Sequence, residues 1–131
     1  MHVVFITGTR ENRVAFMMRD AIWAAMVSAD RVYHGACKTG VDALAASIAL
    51  YDLEVEVTAI PARGKRDGWP KAGPMRNARL AERAAKYIAD GHAVVCHAFP
   101  WGRSPGTRGC IEEMRKRGVP VIVHELEREG A

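Results

Sequence analysis

The chain has 131 residues, of which 49% are hydrophobic and 26% charged, and this composition excludes an intrinsically disordered protein. The length suits one domain, which we expect to span residues 1–131. No hydrophobic run approaches the roughly 20 residues that a membrane helix needs, and the first residues do not resemble a signal peptide. We therefore expect a cytoplasmic protein without a membrane partner. The net charge of +4 suits an anionic ligand or weak contact with nucleic acid, but the basic residues are scattered among acidic ones.

Short β-branched runs alternate with helical patterns along the chain. The runs predict strands at residues 3–6, 31–33, 55–60, 93–97 and 121–124. The helical patterns lie at residues 13–27, 40–51, 75–89 and 107–117, and residues 61–73 form an irregular stretch. Strict alternation predicts a parallel sheet of about five strands in a three-layer α/β sandwich. With a strand order of 3-2-1-4-5, a ligand would bind where strands one and four end.

A glycine-rich turn follows the fourth predicted strand and leads into the fourth predicted helix. The start of a helix presents unpaired backbone N–H groups and a positive dipole end, which bind phosphate. A second small-residue turn follows the first strand in the same way. The alternative is that the glycines only allow positive φ angles. The predicted ligand-binding residues of the two turns are Pro100, Gly102, Ser104, Gly106 and Thr107, and Gly8, Thr9 and Arg10.

Further polar residues are predicted to reach the same site. His34 and Gly35 end the second strand, and Asp42 opens the second helix. Each has a structural alternative, since His34 can be a buried structural histidine and Asp42 can close a capping box with Thr39. We expect Arg76 in the first turn of the third helix, where a cation is opposed by the helix dipole and an anionic ligand would be favoured.

Several common catalytic and cofactor motifs are absent. Neither turn has the spacing of GxGxxG or GxxxxGK[ST], and GxSxG does not occur, so dinucleotide oxidoreductases, usual nucleoside triphosphatases and serine hydrolases are disfavoured. The three cysteines form no CxxC pair, and no histidines have the spacing of a zinc finger or of HExxH. We therefore predict neither a metal nor a cofactor.

An ordered set of short motifs covers nearly the whole chain. The motifs are GTR at residues 8–10, HG at 34–35, GVD at 40–42 with Ala45 beyond it, Pro61-Ala62, Trp69, AGPMRN at 72–77 and AFPWGRSPGT at 98–107. Together they resemble the SLOG superfamily, and within it the small bacterial and phage proteins of the DUF2493 or YspA-like group. The resemblance implies a Rossmann-like fold and a ligand that is a nucleotide or nucleotide derivative.

The chain is also similar to the LOG phosphoribohydrolases, whose PGGxGTxxE motif resembles residues 100–107. Here two extra residues precede Gly106, and Cys110 stands where that family has its catalytic Glu. A thiol cannot easily stabilise an oxocarbenium-like transition state in place of a carboxylate. The resemblance therefore leaves Arg76, Glu112 and Glu113 as the catalytic candidates for an N-glycoside hydrolase.

Our leading hypothesis is a domain that binds a nucleotide or nucleotide derivative. The phosphate is expected to contact the amides of the glycine-rich turn after the fourth strand, the hydroxyls of Ser104 and Thr107, and the guanidinium of Arg10 or Arg76: the amides are those of Gly102, Gly106 and Thr107. The sugar or base is expected to contact His34, Asp42 and Asn77, although Asn77 can instead cap its helix. The alternatives are a LOG-like hydrolase of nucleoside monophosphates and a DprA-like module that binds single-stranded DNA. We also predict a homo-oligomer, because Met17, Met18 and Trp23 give the first helix more apolar bulk than a small sheet needs.

Overall fold

A computed structural model describes residues 1–126, and the last five residues of the predicted domain lie outside this part. Five parallel strands form one sheet in the order β3-β2-β1-β4-β5. The strands are β1 (His2–Gly8), β2 (Arg31–His34), β3 (Glu56–Ala59), β4 (Ala93–Phe99) and β5 (Val121–Val123). The predicted α/β class and strand number are therefore confirmed, and the strand order is the one assumed in placing the ligand site.

Helices cover both faces of the sheet. They are α1 (Asn12–Met17), α2 (Arg19–Met26), α3 (Gly40–Ser47), α4 (Gly64–Asp67), α5 (Ala72–Ala89) and α6 (Pro105–Lys116). Alternate residues of β1 point to opposite faces, so Val4 and Ile6 pack with α1, α2 and α3, whereas Val3 and Phe5 pack with α5 and α6. A π-helical segment, Ile48–Leu53, continues α3. Within residues 1–126, no helix is long and apolar enough to cross a membrane.

The central strands β1 and β4 bring their carboxyl ends together. Their pairing runs from His2 opposite Ala93 to Gly8 opposite Phe99, so the turns that follow start side by side. The strand order reverses at this pair. From β1 the chain adds β2 and β3 on one side of the sheet, and it then returns to add β4 and β5 on the other side. An open parallel sheet binds ligands at such a reversal.

Several helix boundaries differ from the prediction. The single helix predicted over residues 13–27 is two helices joined at Met18, whose φ and ψ of −99° and 10° depart from helical values. Helix α5 begins at Ala72. Its first turn accommodates Pro74, because the N–H groups of a first turn have no acceptor within the helix and proline has no N–H. Arg76 consequently lies in the second turn and not in the first. Helix α6 begins at Pro105, two residues earlier than predicted, and α4 lies within the stretch predicted to be irregular.

The predicted capping box of α3 was wrong. The Gly40 N–H at its start donates to Asn12 Oδ1 at 2.7 Å, and the Thr39 side chain makes no capping hydrogen bond. The Thr39 hydroxyl donates instead to the Arg10 carbonyl oxygen at 2.8 Å, and the Asp42 carboxylate accepts from the Cys37 backbone N–H at 3.2 Å. Both side chains therefore make tertiary contacts with loops at the carboxyl edge of the sheet, and the local capping box does not form.

Candidate functional site

A cavity of about 390 Å³ lies at the carboxyl ends of β1 and β4, and we call it the crossover cavity. Its walls come from the turn after β1, the loop after β2, and helices α3, α5 and α6. The residues that line it are Thr7, Gly8, Thr9, Arg10, Glu11, Cys37, Asp42, Arg76, Ser104, Pro105, Gly106 and Thr107. The two turns that the sequence singled out thus border one cavity.

The amino end of α6 forms one wall of the crossover cavity. Pro105 occupies the first helical position, and Ser104 before it has a left-handed backbone with φ of 40°. The Ser104 hydroxyl donates to Thr107 Oγ1 at 2.9 Å and does not cap the helix. The backbone N–H groups of Gly106 and Thr107 have no acceptor within the helix, because they belong to its first turn. This wall therefore offers N–H donors and a positive dipole end to an anion.

The turn after β1 is held rigidly opposite that wall. The Thr9 N–H donates to the Phe99 carbonyl oxygen at 2.9 Å, and the Thr9 carbonyl accepts from the Val41 N–H at 2.9 Å. A Cβ atom at Gly40, whose φ is 74°, would collide with the Thr9 carbonyl oxygen. Gly8 approaches α3 just as closely, since a Cβ there would lie 2.6 Å from Val41 Cβ. Glycine at both positions lets β1 and α3 pack closely enough to form the cavity wall.

Arg76 projects from α5 into the crossover cavity and is oriented by two hydrogen bonds. Its guanidinium donates to the Gly35 carbonyl oxygen, and its Nε donates to Asn77 Oδ1 at 2.9 Å. Asn77 Nδ2 in turn donates to the Gly106 carbonyl oxygen at 3.1 Å. A guanidinium has five N–H donors, and these bonds use two of them. Asn77 thus connects α5, α6 and Arg76 in a fixed arrangement.

Asp42 contributes a buried carboxylate to the same cavity. It is 6% exposed, and its Oδ1 is buried without a hydrogen-bond partner among the described residues. Burial raises the pKa of Asp42 to about 6, although the Cys37 N–H and the Arg76 guanidinium act in the opposite direction. An unsatisfied buried oxygen is costly, so we expect a partner beyond the described residues. A ligand hydroxyl or N–H group in the cavity would satisfy it.

Several predicted site residues do not line the crossover cavity. His34 is buried, its Nδ1 accepts from the Ala36 N–H at 2.9 Å, and burial together with Arg76 lowers its pKa. Gly35 acts through its carbonyl bond to Arg76, and Asn77 acts through the contacts described above. Pro100 and Gly102 border a separate cavity of about 200 Å³. Gly102 has φ of 63°, so the alternative interpretation, a glycine that allows positive φ, fits this position.

The carboxylates proposed for hydrolysis also lie elsewhere. Glu112 and Glu113 line a different cavity, between α5 and α6. Glu113 pairs with Arg117, and this hydrogen bond lowers the pKa of Glu113, which does not suit a proton donor. Cys110 is fully buried in the core next to Cys96, and the hydrogen bond between them and burial raise the pKa of Cys96. Among the three catalytic candidates, only Arg76 lines the crossover cavity.

Sequence reasoning missed four residues of the cavity wall: Thr7, Glu11, Cys37 and Pro105. Thr7 and Glu11 flank the predicted turn after β1, and Pro105 lies inside the predicted glycine-rich turn. Extending each turn by one residue on either side would have included Thr7 and Glu11. Cys37 carries no such signal, because its place depends on how the loop after β2 folds back toward Asp42.

A sequence comparison identifies a relative of this chain. The chain is 33% identical over 135 residues to the Gene 61 protein of Mycobacterium phage D29, an alignment that covers 93% of this chain and 95% of that protein. The chain belongs to the family of this phage protein. No family model matches the chain. Among solved structures, the C-terminal domain of a hydrogenase from Pyrococcus furiosus is similar, with a TM-score of 0.46 and 15% identity over 93% of this chain and 89% of that one.

Proposed function

We propose that this protein binds a nucleotide or nucleotide derivative in the crossover cavity, with its phosphate against the amino end of α6. The observation that carries the proposal is the combination of groups in that one cavity. It holds unpaired N–H donors, the guanidinium groups of Arg10 and Arg76, and a buried Asp42 oxygen without a partner. Cationic and N–H donor groups recognise a phosphate, whereas a carboxylate recognises hydroxyl or N–H donors. A phosphorylated sugar presents both kinds of group.

The charges argue against a simple inorganic anion as the ligand. A free anion would repel the Asp42 carboxylate, which is ionised above its pKa of about 6. A ligand with an anionic end and a hydroxyl-bearing end can place each end against the matching side of the cavity. The 390 Å³ volume also falls within the usual range of small-molecule sites.

Calorimetry with the purified chain tests this proposal. We expect nucleoside monophosphates and ribose 5-phosphate to bind, and the matching nucleosides to bind at least about tenfold more weakly, because they lack the charged group. Equal affinity for phosphorylated and unphosphorylated ligands would contradict the assignment of the phosphate to this cavity. Failure of the whole phosphorylated panel to bind would overturn the proposal.

Two other outcomes would favour the alternatives. Release of free base from a nucleoside monophosphate, followed by chromatography, would support an N-glycoside hydrolase. Binding of single-stranded DNA with steep salt dependence, together with no binding of mononucleotides, would support a nucleic-acid module. We do not propose either function, because the carboxylates expected to act in hydrolysis, Glu112 and Glu113, do not line the crossover cavity and the basic residues form no continuous stripe in the sequence.

We further infer a homo-oligomer, which is supported by the exposed side chains of the first two helices. Phe16 and Met17 are 59% and 56% exposed, and Trp23 and Val27 nearby are also exposed, whereas Met18 is part of the core. Clustered apolar exposure of this kind is typical of contact surfaces. We expect light scattering to give at least twice the 14.4 kDa mass of a single chain. Trp23→Asp should shift the measured mass down toward 14.4 kDa. A monomer at high concentration would contradict this inference.

A further inference from the structure

A second cavity, of about 610 Å³, opens next to the crossover cavity, and we call it the Trp69 cavity. It lies between the amino ends of α5 and α6 and the segment before α5. Arg10, Arg76, Pro105 and Gly106 line both cavities, so the two cavities adjoin at these residues. A ligand whose phosphate lies in the first cavity could therefore extend into the second.

Glycines create the space between the two helices. A Cβ atom at Gly73 on α5 or at Gly106 on α6 would meet no other atom within 4 Å. At Gly109, one turn further along α6, the nearest atom to such a Cβ would be Asn77 Nδ2, at 3.6 Å. Neither helix needs glycine here for its backbone, because none of the three has a positive φ. The missing side chains leave a cavity where two packed helices would normally fill the volume.

Trp69 supplies an aromatic wall of this cavity. The residue is 69% exposed, although burial of an indole contributes more apolar contact area than almost any other side chain. Its ring lies against the backbone of Gly64, where a Cβ atom would be 2.6 Å from Trp69 Cε2. The indole is thus supported on one side and open to solvent on the rest of its surface, which suits a flat aromatic partner.

A carboxylate also lines the Trp69 cavity. Glu112 on α6 lines the space and is exposed, whereas the neighbouring Glu113 is engaged by Arg117 and Lys116. An ionised carboxylate only accepts hydrogen bonds, so it recognises a donor such as an exocyclic amine. The cavity therefore combines an aromatic platform with an acceptor for an amino group.

We propose that the Trp69 cavity binds the base of the nucleotide whose phosphate lies in the crossover cavity, and that it selects an aromatic base with an exocyclic amino group. The base stacks on Trp69, and its amino group donates to Glu112. This inference rests on the proposed function, because it requires the phosphate to lie near Arg76. It adds the class of base and the residues that read it.

Calorimetry with three probes, ribose 5-phosphate, AMP and IMP, separates the two proposals. We expect AMP to bind wild-type protein about five- to a hundredfold more tightly than ribose 5-phosphate, a ratio that corresponds to stacking of one base. IMP, which has an oxo group in place of the amine, should bind more weakly than AMP. If ribose 5-phosphate binds and AMP binds no more tightly, the base site is wrong and the phosphate site stands. If none of the three binds, both proposals fail.

Three variants test the assigned residues. Trp69→Ala should remove most of the advantage of AMP over ribose 5-phosphate, and Gly73→Leu should do the same by filling the cavity. Glu112→Gln should abolish the preference for AMP over IMP. In each variant the affinity for ribose 5-phosphate should stay unchanged, which also reports that the protein is folded. Tyr51→Ala is the control, because Tyr51 is an exposed aromatic residue that lines neither cavity.

The variants have clear contradicting outcomes. An equal loss of AMP and ribose 5-phosphate affinity in Trp69→Ala would show that Trp69 supports the phosphate site and does not hold the base. An unchanged AMP affinity in both Trp69→Ala and Gly73→Leu would place the base elsewhere. Gly64→Ala provides a check that keeps the indole, since it displaces the ring through the contact with Cε2 and should weaken AMP selectively.

Discussion

The two edges of the sheet treat their polar groups differently. At the edge where the strands begin, the polar groups around His2 pair with one another. The His2 N–H donates to Asp30 Oδ2 at 2.7 Å, the Asp30 N–H donates to the His2 carbonyl at 2.8 Å, and the chain amino group contacts His92 Nδ1 at 3.0 Å. These contacts are mutual, so this edge contributes to stability.

At the edge where the strands end, charged and polar groups face a cavity. Asp42 has a buried oxygen without a described partner, and no side chain caps α6 in that wall. Ser104 has a left-handed backbone conformation, which is disfavoured for a residue with a side chain. Unsatisfied groups and local strain of this kind concentrate where a protein binds ligands. The comparison therefore predicts that substitutions at the two edges have opposite effects on stability and binding.

The largest effect on binding is expected from Arg76→Ala. Loss of a charged hydrogen-bond donor should weaken a phosphorylated ligand by about 1.5–3 kcal/mol in calorimetry and change the affinity of the unphosphorylated nucleoside little. Arg83→Ala on the same helix is the control, because Arg83 contacts Tyr33 and does not line the crossover cavity. If both ligands weaken equally in Arg76→Ala, Arg76 is structural and the comparison between the edges loses its main support.

Asp42→Asn should increase stability at neutral pH while it weakens binding. The folded protein holds the pKa of Asp42 at about 6, above the unfolded value of 3.8. At a pH between 3.8 and about 6, folding therefore takes up a proton at Asp42. The unfolding free energy consequently falls as the pH rises through this range. The cost is complete above pH 6 and amounts to at most about 3 kcal/mol, at about 1.4 kcal/mol per pKa unit.

Chemical denaturation of wild type and Asp42→Asn at several pH values measures this effect. Between pH 4 and 7, the unfolding free energy of Asp42→Asn should rise relative to that of wild type. The cost of burying the asparagine amide is the same at every pH, and His34 titrates in both proteins, so neither alters the expected slope. Parallel pH profiles for wild type and variant would show that folding does not raise the pKa of Asp42.

The sequence predicted the sheet edge better than the individual contacts. Alternating strands and helices predicted the parallel sheet, and the strand order assumed for it brought Thr9 and Thr107 to one cavity. The break at Met18 had no such signal. Helices α1 and α2 cover the same core, and Val14, Met18 and Ile22 are all buried, so the apolar stripe continues through the break.

Residue types alone could not separate ligand contacts from tertiary contacts. Thr39 and Asp42 have the pattern of a capping box, and only the approach of Arg10 and Cys37 decides their partners. His34 Nδ1 accepts a hydrogen bond from the backbone N–H of Ala36, two residues further along the chain. Gly102 and Gly106 look alike in the sequence, yet only Gly102 has a positive φ. The open position of Trp69 depends on how the segment before α5 packs, which no local pattern records.

The smallest effect is expected at the opposite edge, from Asp30→Ala. This change removes the acceptor of the His2 N–H, a single exposed hydrogen bond, and should lower the unfolding free energy by about 0.5–1 kcal/mol. Affinity for the phosphorylated ligand should stay at the wild-type value, because Asp30 precedes β2 at the edge remote from the crossover cavity. Denaturation and calorimetry on the same preparation give both quantities. If Asp30→Ala lost ligand affinity and kept its stability, the roles assigned to the two edges would be reversed. Binding would then depend on the edge where the strands begin.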